Sequence, residues 1–122
     1  MNKTYIPAVI SVILLAALHS IASSLHWYVH YHGFDIFMHI LGGMALGFSI
    51  YWILTTLFPR HAPSFWYIIL FTFIAGVLWE TFEAYYNIAG APVGSLPYYL
   101  DTAKDLINDT LGAIITAKFL KK

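Results

Sequence analysis

The chain contains no cysteine, and only 10% of its 122 residues are charged. The absence of cysteine excludes disulfides and thiolate metal sites, and it leaves the redox compartment undetermined. A soluble domain carries about 25% charged residues, so this chain has too few to cover a water-facing surface. The formal net charge is zero. The charge balance therefore gives no indication of an acidic partner, and no nucleic-acid partner is expected.

The composition is instead strongly apolar, with 60% hydrophobic residues and a mean hydropathy of +0.72. Four apolar stretches each approach the ~20 residues that cross a bilayer core. Breaks rich in Gly, Pro or polar and aromatic residues separate them. We predict one all-α domain over residues 1–122, a multi-pass protein of the plasma (inner) membrane built as a four-transmembrane-helix bundle. Its helices are expected at about residues 6–25, 35–57, 64–84 and 101–120.

The first stretch has an alternative interpretation as a secretory signal peptide. Lys3 precedes the apolar run, and small residues follow it from Ser20 to Ser24. This order of charge, apolar run and small residues is typical of a cleaved leader. We favour a membrane span because the run is long enough to cross.

Positive charge is distributed unevenly among the predicted loops. In a four-span arrangement the loops on one side contain no Lys or Arg, and Lys104 alone lies inside a span. The positive-inside rule then places both termini in the cytoplasm. The residues that decide this orientation are Lys3, Arg60, Lys118, Lys121 and Lys122.

The acidic residues fall into three short clusters, all at the predicted extracytoplasmic ends of spans. An ionisable side chain within a span costs about 2.5–3.5 kcal/mol on insertion scales, so it marks a functional site by default. We therefore expect the three clusters to form one polar site. The clusters are Asp35, then Glu80 and Glu83, then Asp101, Asp105 and Asp109.

The spacing within these clusters favours a metal site. Residues four apart, such as Asp35 and His39, project from one helix face. Stacked carboxylates repel one another unless protonation, Lys104 or a bound cation relieves them. Carboxylates and imidazole suit Zn²⁺, Mn²⁺, Fe²⁺ or Mg²⁺, and facing bundle helices can hold one or two such ions. The predicted metal ligands are Asp35, His39, Glu80, Glu83, Asp101, Asp105 and Asp109.

Less specific roles remain open for several of these residues. Asp35 and Asp101 could each cap the start of a helix, and Glu83 could face interfacial water. His19 and His26 could add ligands, and the loop histidines His26, His30 and His32 form a weaker second cluster, although His30 and His32 are more typical of solvated residues. Gly43, Gly47 and Gly112 are expected to allow close helix packing.

The motifs Asp35-x-x-x-His39, Glu80 and Asp105-x-x-x-Asp109-x-x-Gly112 together resemble the VanZ-like proteins and the related YjdF-like small inner-membrane proteins. Glu83 and Asp109 stand where the VanZ-like pattern has Gln and Asn, whereas Asp101-Thr102-x-x-Asp105 looks more like the YjdF branch. The resemblance covers roughly residues 30–115. It implies a membrane bundle of four or five helices and, for some VanZ-like members, a link to glycopeptide-antibiotic resistance at the cell envelope.

Three functions are compatible with such a site. The favoured one is a metal-dependent hydrolase or transferase acting on a lipid or cell-envelope substrate, with Glu80 or Asp109 as general base. The second is a cation or proton pathway along the carboxylates from Asp101 to Asp109. The third is a non-catalytic metal- or lipid-binding accessory protein of the envelope. Membrane lipid is the expected partner, and a homo-oligomer is left open.

Overall fold

The computed structural model describes residues 3–121, and within this range all regular secondary structure is helical. This helical structure agrees with the predicted all-α fold class. Five helices follow one another along this part of the chain: α1 Tyr5–Ser24, α2 Trp27–His30, α3 Phe34–Leu57, α4 Phe65–Tyr85 and α5 Leu96–Leu120.

Helices α1, α3 and α4 are each long and apolar enough to cross a membrane. They contain 20, 24 and 21 residues, and about 20 are needed. Helix α5 contains 25 residues, but its Asp and Lys side chains lower its hydropathy. Among residues 3–121, three helices therefore meet the criteria of an apolar span.

The helix boundaries follow local turn chemistry. Gly33 precedes α3 with φ 86°, a left-handed conformation that a residue without Cβ adopts freely. Helix α5 begins at Leu96 rather than near Asp101, because Ser95 Oγ accepts a hydrogen bond from the Tyr98 backbone N–H at 3.4 Å. Pro97 in the first turn is also compatible with a helix start.

The helix boundaries show whether Asp35 and Asp101 are N-cap residues. Asp101 lies inside α5, and Asp35 is the second residue of α3. Neither aspartate occupies the capping position that precedes the helix, so the interpretation of both as N-caps is wrong.

Helices α3, α4 and α5 pack against one another, and α1 packs against α3. The α3–α5 contact is made through glycine, as predicted. A Cβ atom at Gly112 would collide with the backbone of Ile40 and Met44, and a Cβ atom at Gly43 would collide with the backbone of Asp109. The two helices therefore meet backbone to backbone, the close approach that small residues permit between membrane helices.

The two ends of the bundle differ in charge. Thr4 Oγ1 lies 3.2 Å from Thr55 Oγ1, and Lys121 Nζ lies 5.9 Å from the Phe65 ring centroid. The start of α1, the end of α3, the start of α4 and the end of α5 therefore share one end. We call this end of the bundle the basic end, because it carries Lys3, Arg60, Lys118 and Lys121. The opposite end is the acidic end, and it carries Asp35, Glu80, Glu83, Asp101 and Asp105.

The outward faces of the helices remain apolar. Ile13, Leu78 and Ile107 are each more than 60% exposed, and they lie on α1, α4 and α5. The interior instead contains small residues such as Ala45 and Ala113. This inverted pattern, with large apolar residues outside and small residues inside, is typical of helices packed in lipid.

Candidate metal site

Helices α3 and α5 bring one histidine next to three carboxylates. On α3, His39 lies one turn after Asp35, so both side chains project from one face. His39 Nε2 lies 3.6 Å from Asp35 Oδ1 and 3.5 Å from Asp105 Oδ2. On its other side, His39 Nδ1 lies 3.2 Å from Asp109 Oδ1. The imidazole is thus enclosed by carboxylates from two helices.

Two of these carboxylates are taken almost completely out of solvent. Asp105 and Asp109 are 3% and 5% exposed, respectively. By contrast, the Asp35 side chain is 41% exposed, so the site opens outward at Asp35. A buried carboxylate is unstable unless a positive charge or hydrogen-bond donors compensate it. The cluster therefore needs protonation, hydrogen-bond donors or a positive charge at or beside His39.

The two ring nitrogens of His39 are suited to different tasks. When Nδ1 carries the proton, it donates to Asp109 Oδ1 and fixes the orientation of the ring. Nε2 then presents a lone pair towards the Asp35 and Asp105 carboxylates. Where a histidine binds a metal, its other ring nitrogen commonly donates to a carboxylate, which makes the histidine a better ligand.

Asp35, His39 and Asp105 each place one ligand atom within 4.8 Å of the other two; we call these residues the triad. A tetrahedral metal with bonds of about 2.1 Å holds its ligands about 3.4 Å apart. The separations of 3.6 and 3.5 Å between His39 Nε2 and the carboxylates are close to that value. Asp105 Oδ1 is buried and makes no hydrogen bond within residues 3–121. The triad therefore could hold a metal ion.

Lys104 provides a positive charge at the edge of the triad. Its Nζ lies 2.6 Å from Asp101 Oδ1 and 3.0 Å from Asp35 Oδ2. Asp105 Oδ1 is 3.4 Å away, an ion pair without hydrogen-bond geometry. The Lys104, Asp35 and Asp101 side chains are between 38% and 44% exposed. The two exposed ion pairs, Lys104 with Asp35 and Lys104 with Asp101, are therefore worth only about 0.2–1 kcal/mol each.

Asp109 occupies a space that glycine residues leave open. A Cβ atom at Gly76 of α4 would lie 2.9 Å from Asp109 Oδ2, and one at Gly42 of α3 would lie 4.0 Å from Asp109 Oδ1. Neither Gly42 nor Gly76 was predicted from the sequence to line the site. The spacing of Gly76 and Glu80 by one turn was the available signal, because it places a gap and an acid on the same face of α4.

Glu80 lies beside the triad without belonging to it. The residue is 5% exposed, and its Oε2 accepts a hydrogen bond from Thr102 Oγ1 at 3.0 Å. Its Oε1 is buried and accepts no hydrogen bond within residues 3–121. His39, Asp101 and Asp109 are among its electrostatic neighbours. Glu80 therefore contributes, from α4, a third buried carboxylate beside those of Asp105 and Asp109.

Glu83 and Asp101 are further from the centre of the cluster. Glu83 is half-buried, with Glu80 as an electrostatic neighbour, and Asp101 pairs with Lys104. Of the predicted ligands, the structure brings Asp35, His39 and Asp105 together at metal-ligand spacing. Among residues 3–121, the remaining four lie outside that group: Glu80, Glu83, Asp101 and Asp109.

The short helix α2 packs over the start of α3. His19 Nδ1 lies 2.8 Å from the Tyr28 hydroxyl, and the Tyr28 ring packs edge-on against Phe34 with centroids 5.1 Å apart. Burial raises the pKa of the Tyr28 hydroxyl, and the charge of Asp35 raises it further. Three other histidines are exposed and, in the described part of the chain, join no ligand group: His26, His30 and His32.

Comparison with known families gives a match over almost the whole chain. A family model described as "Predicted membrane protein (DUF2238)" matches residues 3–122. No curated protein and no solved structure matches. The match confirms the membrane assignment, and its description names no reaction.

Proposed function

The chain belongs to the DUF2238 family of predicted membrane proteins, and we propose that it binds one divalent metal ion through Asp35, His39 and Asp105. The observation that carries the proposal is the convergence of three ligand atoms within 4.8 Å, with Asp109 positioned to orient His39. These residues also belong to the motifs that resemble VanZ-like and YjdF-like proteins, and a relationship to those groups is part of the proposal.

The chemistry of the triad favours some metals over others. It offers one imidazole nitrogen and two carboxylates, a set that suits Zn²⁺, Mn²⁺ or Fe²⁺. Mg²⁺ is a weaker candidate because it prefers oxygen ligands and keeps several waters. We therefore propose Zn²⁺, Mn²⁺ or Fe²⁺ as the bound ion.

Metal analysis of purified protein tests this proposal. After loading with Zn²⁺ or Mn²⁺ and removal of free metal, wild-type protein should retain roughly one ion per chain. His39→Ala and Asp105→Ala should each abolish retention, because each removes a ligand. His30→Ala, an exposed histidine on α2, is the matched control and should bind as wild type does. Full retention by both triad variants would contradict the proposal.

We also propose that α5 is a fourth membrane span. At about 1.5 Å per residue, its 25 residues extend roughly 37 Å, longer than a bilayer core of about 30 Å. Asp105 and Asp109 on α5 are buried, whereas Ile107 and Ile115 are exposed. Charged groups would thus be shielded from lipid. With the basic end in the cytoplasm, the triad would lie on the extracytoplasmic side of the plasma membrane.

Metal-dependent hydrolysis of a lipid or cell-envelope substrate is a second candidate, favoured by Glu80. A divalent ion at the triad would supply a Lewis acid for a phosphoryl or carbonyl oxygen. The Glu80 Oε1 atom, buried and without a hydrogen bond in the described range, is available to accept a proton. Asp109, the other predicted base, already has its Oδ1 atom beside His39.

Glu80→Gln separates catalysis from binding. If Glu80 is the base, this variant should retain metal and lose turnover of phospholipid or lipid-phosphate substrates. Unchanged turnover in the variant would contradict the role of Glu80. Binding without turnover in wild-type protein would instead favour a non-catalytic accessory protein.

The third predicted function, a cation or proton pathway, gains less support. Beyond Asp109, the α3–α5 interface closes at Gly112, where the two backbones touch. Thr116 Oγ1 continues this contact by donating to the Met44 carbonyl at 3.3 Å. A tightly packed interface is unsuited to a hydrated route, so we do not favour transport between these helices.

A further inference from the structure

Lys104 is the ion-pair partner of two of the three triad residues. Its ammonium contacts Asp35 Oδ2 at 3.0 Å and Asp105 Oδ1 at 3.4 Å. We propose that Lys104 is a specificity-determining residue, a tethered cation that a divalent metal must drive away from the triad to bind. The oxygens that face His39 Nε2 are Asp35 Oδ1 and Asp105 Oδ2, so the ammonium and the metal would sit on opposite oxygens of the same two carboxylates and repel each other. This inference rests on the proposed metal-binding function, and it adds how the affinity and selectivity of the triad are set.

The environment of Lys104 provides a position for the displaced ammonium. Its shortest contact, 2.6 Å, is to Asp101, which lies outside the triad. Lys104 and Asp101 are three residues apart on the same face of α5. The lysine stem is flexible, so its ammonium can leave Asp35 and Asp105 and remain paired with Asp101 without movement of the helix.

Partial exposure makes this displacement possible at low cost. The Lys104 and Asp101 side chains are 38% and 44% exposed, so water can solvate the ammonium as it moves. Asp105 Oδ1 is buried and makes no hydrogen bond in the described residues. The lysine therefore neutralises Asp105 without satisfying it, and a metal ion would bind the carboxylate better.

Displacement of a tethered cation also discriminates by charge. A monovalent ion that replaces the ammonium brings no additional positive charge to the carboxylates. A divalent ion brings one more, and its attraction to the triad is correspondingly larger. Lys104 should thus exclude Na⁺ and K⁺ while it lowers the affinity for divalent ions only moderately.

Titration of purified protein with Zn²⁺ or Mn²⁺ tests the competition. Lys104→Met, which removes the charge and keeps the length of the stem, should bind about tenfold tighter than wild type, because the ion pairs of the ammonium with Asp35 and with the buried Asp105 no longer compete with the metal. Lys104→Arg retains the charge and is the matched control. It should bind within about threefold of wild type. A merely structural lysine would not give a gain in affinity on removal.

A double-mutant cycle tests the role of Asp101. Asp101→Asn should weaken metal binding in the wild-type background, because Lys104 then has only the triad carboxylates as partners. In the Lys104→Met background the same change should have no effect. If Asp101→Asn weakens binding equally in both backgrounds, Asp101 acts on the metal directly, as a ligand or as a nearby charge, and the proposed displacement is wrong.

Selectivity provides a separate readout. At constant ionic strength, replacement of choline chloride by sodium chloride should weaken Mn²⁺ binding to Lys104→Met and leave wild type unchanged. Equal sodium sensitivity in both proteins would overturn the charge-discrimination step.

The outcomes distinguish this inference from the proposed function. If wild type binds metal and Lys104→Met binds no tighter, the inference fails and the metal site stands. If neither protein binds metal, the proposed function fails and the inference with it. If Lys104→Met binds metal and wild type does not, competition by Lys104 is supported. The same result would contradict metal binding by the wild-type protein.

Discussion

At the scale of single residues, Asp109 shows how one carboxylate connects three helices. It is carried by α5, its Oδ1 atom lies 3.2 Å from His39 Nδ1 on α3, and its Oδ2 atom lies against Gly76 on α4. Asp109 was predicted from the sequence to be a metal ligand. The geometry instead suits it to orienting a ligand, because the Nε2 atom of His39, not Nδ1, faces the other two triad residues.

Asp109→Asn tests this orienting role. The substitution keeps the shape of the side chain and removes its charge, so we expect the Zn²⁺ affinity to fall about 10- to 100-fold, as for other outer-shell partners of metal-bound histidine. Titration calorimetry on purified protein measures the change. Glu83→Gln removes an acid outside the triad and should shift the affinity less than about threefold. Complete loss of binding in Asp109→Asn would indicate that Asp109 is itself a ligand.

Sequence reasoning could pair Asp35 with His39, because four-residue spacing on one helix is a local property. It could not decide which α5 acids meet His39. That choice depends on the register of α5 along α3, which the backbone contacts of Gly43 and Gly112 set. The same register places Lys104 against Asp35.

At the scale of helices, the α3–α5 interface predicts opposite results for two adjacent glycines. A Cβ atom at Gly43 would overlap the backbone of Asp109, whereas one at Gly42 would find its nearest neighbour at 4.0 Å. Gly43→Ala should therefore destabilise the protein by at least about 3 kcal/mol or prevent folding. Gly42→Ala should be neutral or stabilise by up to about 1 kcal/mol through helix propensity. Thermal unfolding followed by helical circular dichroism compares them; equal unfolding temperatures would contradict the packing.

Helix α4 allows a complementary test at the Asp109 side chain. In Gly76→Ala the new Cβ atom would lie 2.9 Å from Asp109 Oδ2 and 3.1 Å from Leu106 Cδ2. Both are side-chain atoms, so we expect them to shift at a cost of about 1–3 kcal/mol. The displaced Asp109 would no longer orient His39, and metal affinity should fall severalfold. Unchanged affinity in a folded variant would show that the position of Asp109 is not critical.

At the scale of the whole molecule, the separation of charge between the basic and acidic ends predicts its membrane topology. Because the natural chain has no cysteine, single cysteines can be introduced and labelled with a membrane-impermeant maleimide. Val93→Cys, between α4 and α5, should react in intact cells. His61→Cys and Lys121→Cys, at the basic end, should react only after permeabilisation. Reaction of positions 93 and 121 from the same side would show that α5 does not cross.

The membrane class and the position of most helices were determined by the sequence alone, because the length and polarity of an apolar run depend only on neighbouring residues. The sequence also located the acids and paired Asp35 with His39. Tertiary structure decided which carboxylates reach the histidine, that Glu80 and Glu83 stay outside the triad, and that Lys104 lies among three aspartates. These contacts depend on how far one helix slides and rotates against another. That alignment comes from glycine contacts between distant parts of the chain, which no local spacing reveals.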